Sequence, residues 1–150
     1  MTFEELKDDC EDLMVKAGAF CSRNNIDIIP SFTTGRDTRA RIRTGVFWCA
    51  GDPNAKDDKD KPYRNCYALP PTNDELKAHI ETTLKYVDDN RDRTRPYMVC
   101  SYGWNEHEEG GWLCPTLAVD ENNDVIYDEN GNIVADTIRL DILKSVLDKM

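Results

Sequence analysis

Two short apolar segments, "IDIIPSF" (26–32) and "YMVCSYGW" (97–104), stand on either side of a helical stretch. That arrangement constrains the fold more than any other feature. Both segments are β-branched or aromatic runs bounded by polar turns, the pattern of buried strands. Strands joined through a helix pair in parallel. A parallel sheet needs both faces covered, and two strands are too few for that. The pattern predicts an α/β chain: the C-terminal portion of a (β/α)8 TIM-type barrel, with parallel strands, covering helices and a small β-hairpin. A whole barrel takes about 250 residues, and this chain has 150. It is expected as a single partial barrel domain over 1–150, which a second copy or a longer parent chain would complete.

The helices are marked by spacing and caps. Phe3, Leu6, Cys10, Leu13, Met14, Ala17 and Cys21 recur at three- and four-residue intervals, which predicts an amphipathic helix over 2–23. Thr2 with Glu5 has the form of a capping box, and Thr72 with Glu75 forms a second. Leu76, Ile80, Leu84 and Val87 then predict a helix to about Asn90, with His79 beside its stripe in a structural role. Leu140, Leu143, Val146 and Leu147 predict a last helix over 137–149.

Two other stretches are irregular. Residues 38–71 read as a long loop carrying Arg39, Arg41, Arg43 and Trp48 and a charged insertion at 56–61. A loop of that length in a compact domain is usually functional or mobile. Over 117–136, two apolar runs flank Asn130-Gly131, a hairpin signal. The acidic spacing there resembles a calcium loop, but Val125 stands where an EF-hand needs glycine, so calcium is not expected. No internal repeat is evident.

Charge excludes some partners. The chain has 19 basic and 29 acidic residues, a formal charge of −10. Nucleic acid and anionic membranes are not expected to bind it. No run approaches the roughly 20 apolar residues of a membrane helix. Met1 leads into the acidic "TFEELKDDCEDL" rather than a basic then apolar segment, so no signal peptide is expected in this chain; the compartment stays open and leans to the cytoplasm, since a longer parent chain could carry its own signal. Six cysteines include no C-x-x-C pair and match no zinc module, so reduced thiols and no metal or cofactor are expected. Cys10, Cys21 and Cys100 fall on apolar positions, where a free thiol behaves as a small hydrophobe. Cys49 and Cys66 flank a polar loop and are the best placed for a disulfide.

Chemistry in βα proteins gathers at the C-terminal ends of the strands. Two segments qualify: Thr33 to Asp37, and Trp104 to Trp112. In the second, Glu106 and Glu109 are three residues apart, so one helical turn puts both on the same side. Two nearby carboxylates can divide their roles, one protonated as an acid and one ionised as a base. Trp104 and Trp112 offer flat faces for the C–H faces of sugars, while Asn105, Glu106, Glu109 and His107 offer partners for hydroxyls. Gly110-Gly111 allows a tight turn or a close backbone approach. Arg36 and Asp37, at the other strand end, and Trp48, in the loop, are further candidates for sugar contact. The constellation points to a glycan as the ligand.

The segment "SYGWNEHEEGGWLCPTL" resembles the W-N-E-x-x-E-G stretch, followed by an aromatic and a proline, of glycoside hydrolase family 99 and the related WbsX-type proteins of bacterial glycan clusters. The strand end "IIPSFTTGRDTRARI" is similar to a P-x-x-x-x-G-x-D-x-R stretch in that group. The resemblance implies a retaining, endo-acting α-mannosidase on a (β/α)8 barrel, working without a metal. It implies that Glu106 acts as a base on the sugar's own 2-hydroxyl, and that Glu109 is the acid/base for the leaving oxygen. This differs from the two-carboxylate scheme in which one carboxylate is the nucleophile. The chain departs from the family pattern at His107, where an aromatic is usual, and at Cys114, where a third acid is common. The expected function is that of a carbohydrate-active, glycoside hydrolase-like protein. The alternatives are a non-catalytic glycan-binding or remnant domain, and a structural module without glycan affinity.

Overall fold

The computed structural model describes residues 1–37, 67–95 and 97–150. In chain order they form α1 (Phe3–Arg23), β1 (Ser31–Thr33), α2 (Asn73–Asp89), β2 (Cys100–Tyr102), β3 (Asn105–Glu106), a 3-10 turn (His107–Glu109), β4 (Gly111–Trp112), β5 (Thr116–Leu117), β6 (Ala135–Asp136) and α3 (Ile138–Leu147). The architecture is mixed α/β. β1 and β2 pair in parallel, with Ser31 opposite Cys100 and Thr33 opposite Tyr102. β3 pairs with β4, and β5 with β6, each antiparallel. There is no closed barrel among the described residues. Trp48, Cys49, Cys66 and the three loop arginines lie outside the described residues.

Both long helices start as their sequences dictate. Thr2 accepts a hydrogen bond from the Glu5 backbone while the Glu5 carboxylate takes the Thr2 N–H at 2.8 Å. Thr72 and Glu75 repeat the arrangement at 2.7 Å. Each box satisfies two of the donors a helix start leaves bare. The core sits between the helices and β1: Phe3 and Leu6 from α1, Phe32 from β1, Leu76 and Ile80 from α2, Leu113, and Ile142 and Val146 from α3. No described helix is long and apolar enough to cross a membrane.

Several expectations change. The second apolar segment is not a buried strand: Cys100, Ser101 and Tyr102 are all exposed. Among the described residues β2 has β1 as its only strand partner, which makes it an edge there, and the exposed Cys100 is no core thiol. The first segment is a strand only from Ser31, with Ile26 and Ile29 in an exposed approach. On α1, Leu13 is exposed although it lies on the apolar stripe.

The hairpin expected over 117–136 is present, with Tyr127 and Ile133 in an antiparallel bridge across the Asn130-Gly131 turn, and it is part of a threefold repeat. Ala118, Ile126 and Val134, eight residues apart, close a ring of backbone bonds: Ala118 donates to Val134, Val134 to Ile126 and Ile126 to Ala118, each at 3.0 Å. In each unit an aspartate oxygen accepts the N–H two residues on: Asp120 from Asn122 at 2.8 Å, Asp128 from Asn130 at 2.9 Å, Asp136 from Ile138 at 3.0 Å. The third unit starts α3 rather than a turn. Asp120 and Asp128 are held below the usual carboxylate range, Asp120 chiefly by backbone N–H groups and Asp128 chiefly by the Asn132 side chain.

His79 is structural, as its position beside the stripe predicts. It is buried, stands edge-on to Phe3, and accepts the Thr33 N–H on Nε2 at 3.3 Å. That bond leaves the proton on Nδ1, which faces Glu11 at 3.7 Å. Burial pushes the imidazole below its ordinary value; Glu11 opposes this and Lys7 reinforces it. The unfolded chain therefore takes up a proton at about pH 6.5 before the native one does. Stability is expected to fall as pH drops below about 6.5, before the carboxylates titrate near pH 4. Melting midpoints between about pH 7.5 and 5 check this. The slope should be steeper for the wild type than for His79→Gln, and equal slopes would contradict it.

Candidate functional site

β1 and β2 run the same way, so the segments that follow them emerge at one end of the sheet. The two sequence stretches singled out for chemistry meet there. Thr34 extends the pairing by donating its N–H to the Tyr102 carbonyl at 3.3 Å. Beyond it the loops touch backbone to backbone: Asp37 N–H donates to the Glu109 carbonyl at 2.5 Å. Ala68 N–H donates to the Arg36 carbonyl at 2.7 Å and adds the chain before α2.

Glycine makes this approach feasible. Gly110 sits at φ +75°, the left-handed region, and a Cβ there would lie 2.6 Å from the Asp37 nitrogen. A Cβ on Gly35 would strike the Gly110 carbonyl. A Cβ on Gly103 would lie 2.7 Å from Cγ of Glu106, so that side chain rests over the Gly103 backbone. The Tyr102–Gly103 peptide is cis.

The motif after β2 is a hairpin folded around one 3-10 turn. β3 and β4 set Asn105 opposite Trp112 and Glu106 opposite Gly111. The turn closes with Gly110 N–H to the His107 carbonyl at 3.1 Å. Glu106 therefore precedes the turn and Glu109 ends it. The expected single helical turn is present in its tighter form. The His107 and Trp112 rings lie 5.4 Å apart at 34°. Cys114 Sγ is 3.3 Å from His107 Nε2. His107 thus touches both Trp112 and Cys114.

The meeting of the loops leaves a cleft of about 210 Å³. That is below the roughly 300–1,000 Å³ of drug-sized ligand sites, so the cleft suits one small polar unit. Arg36, Asp37, His107 and Trp112, all singled out from sequence, line it. Trp104, Asn105, Glu106 and Glu109 are not among its walls; Trp104 and Asn105 are exposed. Glu108 is on the wall in their place. Glu106, Glu108, Glu109 and Asp37 each have an interaction partner. Among the described residues no three His, Cys, Asp or Glu side chains group to hold a metal.

Sequence reasoning missed Ala68, Pro70 and Arg139 on the cleft wall. Arg139 is the instructive one. Its guanidinium carbon stacks 3.6 Å from the centre of the Trp112 ring, and one of its nitrogens donates to the Trp112 carbonyl at 3.1 Å. Burial lowers its pKa to about 10, against the pull of Asp136. A signal was present: a cation in the first turn of a helix opposes the helix dipole. Arg139 stands in the first turn of α3, and its stacking on Trp112 offsets that cost.

Comparison of the chain with protein-family models, with curated proteins and with solved structures gives no match.

Proposed function

We propose that this chain is a carbohydrate-active, glycoside hydrolase-like protein whose glycan sits at the shared end of β1 and β2. On this reading the chain is the C-terminal portion of a (β/α)8 barrel, as its resemblance to family 99 and WbsX-type proteins implies. The observation that carries the reading is the contact of Gly110 and Glu109 with the Gly35–Asp37 loop, which gathers both resembling segments around one cleft. Trp112 and His107 supply ring faces and a hydrogen-bonding edge for a sugar. Glu106 and Glu109 are the proposed working pair, Glu106 as the base on the 2-hydroxyl and Glu109 as the acid/base for the leaving oxygen.

A second reading is favoured by one observation: Glu108, rather than either of that pair, lines the cleft. On that reading the chain binds a glycan without cleaving it. Incubation of the wild type with α-linked mannosides and related glycans separates the two. New reducing ends support the enzyme. Measurable affinity without new reducing ends leaves the binding domain. Absence of both turnover and affinity leaves a structural module.

A further inference from the structure

The chain carries a formal charge of −10, yet two arginines share the walls of its strand-end cleft. Arg139 is half-buried and spends one N–H on the Trp112 carbonyl. Among the described residues neither Arg139 nor Arg36 forms an ion pair with a carboxylate. Asp37 and Glu108, on the same walls, each already have an interaction partner. A guanidinium taken partly out of water is costly and is normally met by a directly bonded counter-charge; Asp136 attracts Arg139 without forming an ion pair with it. Stacking on Trp112 holds the Arg139 plane in a fixed orientation. A fixed fork of N–H donors matches the two oxygens of a carboxylate, sulfate or phosphate.

We infer that the cleft recognises an anionic substituent on its sugar, with Arg139 and Arg36 as the specificity-determining residues. The ligand class is an acidic glycan: a uronate, or a sulfate or phosphate ester. This rests on the proposal that the cleft takes a glycan and narrows it to charged ones. Trp112 then has two tasks. One face or edge carries Arg139, and the remaining surface, beside His107, is left for the sugar ring.

Titration calorimetry at low salt tests the inference with four probes: neutral α-mannotriose, trigalacturonate, mannose 6-phosphate and inorganic sulfate. An acidic sugar should bind at least about tenfold tighter than α-mannotriose, as a charge-assisted hydrogen bond is worth about 1.5–3 kcal/mol. The carboxylate and ester probes identify which oxyanion is preferred. Arg139→Gln should bring the ratio close to one, and Arg139→Lys should restore only part of it, since lysine keeps the charge and loses the fork. Arg36→Gln, at an exposed position, repeats the test if the Arg139 variants do not fold. Equal affinity for neutral and acidic sugars would overturn the inference and leave the glycan reading standing. Binding of sulfate with no sugar bound would keep the anion site and overturn the glycan reading. No binding of any probe would overturn both.

Discussion

Gly110→Ala is expected to cost more than about 2 kcal/mol of stability and to remove the glycan binding proposed for the cleft, because two independent penalties fall on one residue. The left-handed backbone costs a residue with a Cβ about 1–2 kcal/mol. The methyl also meets backbone: the Asp37 nitrogen at 2.6 Å and the Arg36 carbonyl carbon at 3.0 Å. Neither can swing aside as a flexible side chain could, so the loops must part. Gly131 is the internal control. It has a similar φ of +80°, but a Cβ there meets nothing within 4 Å. Gly131→Ala should carry the conformational cost alone, about 1–2 kcal/mol. Urea denaturation measures both, with the midpoint shifting at constant slope. Equal losses for the two variants would mean that the loops do not touch as described.

The second large effect is on turnover. Glu109→Gln keeps the size and most of the hydrogen bonding of the side chain but cannot donate and recover a proton. If Glu109 is the acid/base, kcat on an α-mannoside should fall on the order of 10²–10⁴-fold while glycan affinity changes little. The Glu109 backbone carbonyl, which accepts from Asp37 N–H, is untouched by the change, so the loop contact should survive. A matched loss of affinity and rate would assign Glu109 to sugar binding. An unchanged rate would place the chemistry elsewhere.

The helices were the most legible part of the chain, because their signals are local. Capping boxes at Thr2 and Thr72 and stripes at three- and four-residue spacing fix start and face without knowledge of the rest. The strands were less so. Apolar content marks a strand, but burial depends on neighbours, and among the described residues β2 has one strand partner. Its Cys100 and Tyr102 are apolar in type and exposed in fact. The eight-residue spacing of Asp120, Asp128 and Asp136 was hidden for another reason. The third unit runs into a helix, so its downstream sequence no longer repeats.

The site was legible in the same uneven way. Gly110, Trp112, His107, Arg36 and Asp37 come together because two parallel strands deliver both segments to one end. That follows from topology and can be read from the order of elements. Arg139 could not be found by motif, since it arrives from α3, 27 residues beyond the Trp112 it stacks on. The separation of Glu106 from Glu109 by a strand-to-turn boundary also lay below what residue spacing resolves.

A glycan bound, as proposed, at the shared end of β1 and β2 would perturb a defined set of N–H groups there. Two-dimensional ¹⁵N–¹H NMR during titration with α-mannotriose and trigalacturonate tests this most directly. The Trp112 indole N–H and the Gly35 and Gly110 amides should shift together along one binding curve, with the exposed Trp104 indole unaffected. Shifts centred on Trp104 with Gly35 and Gly110 unmoved, or no shifts with either sugar, would contradict the account.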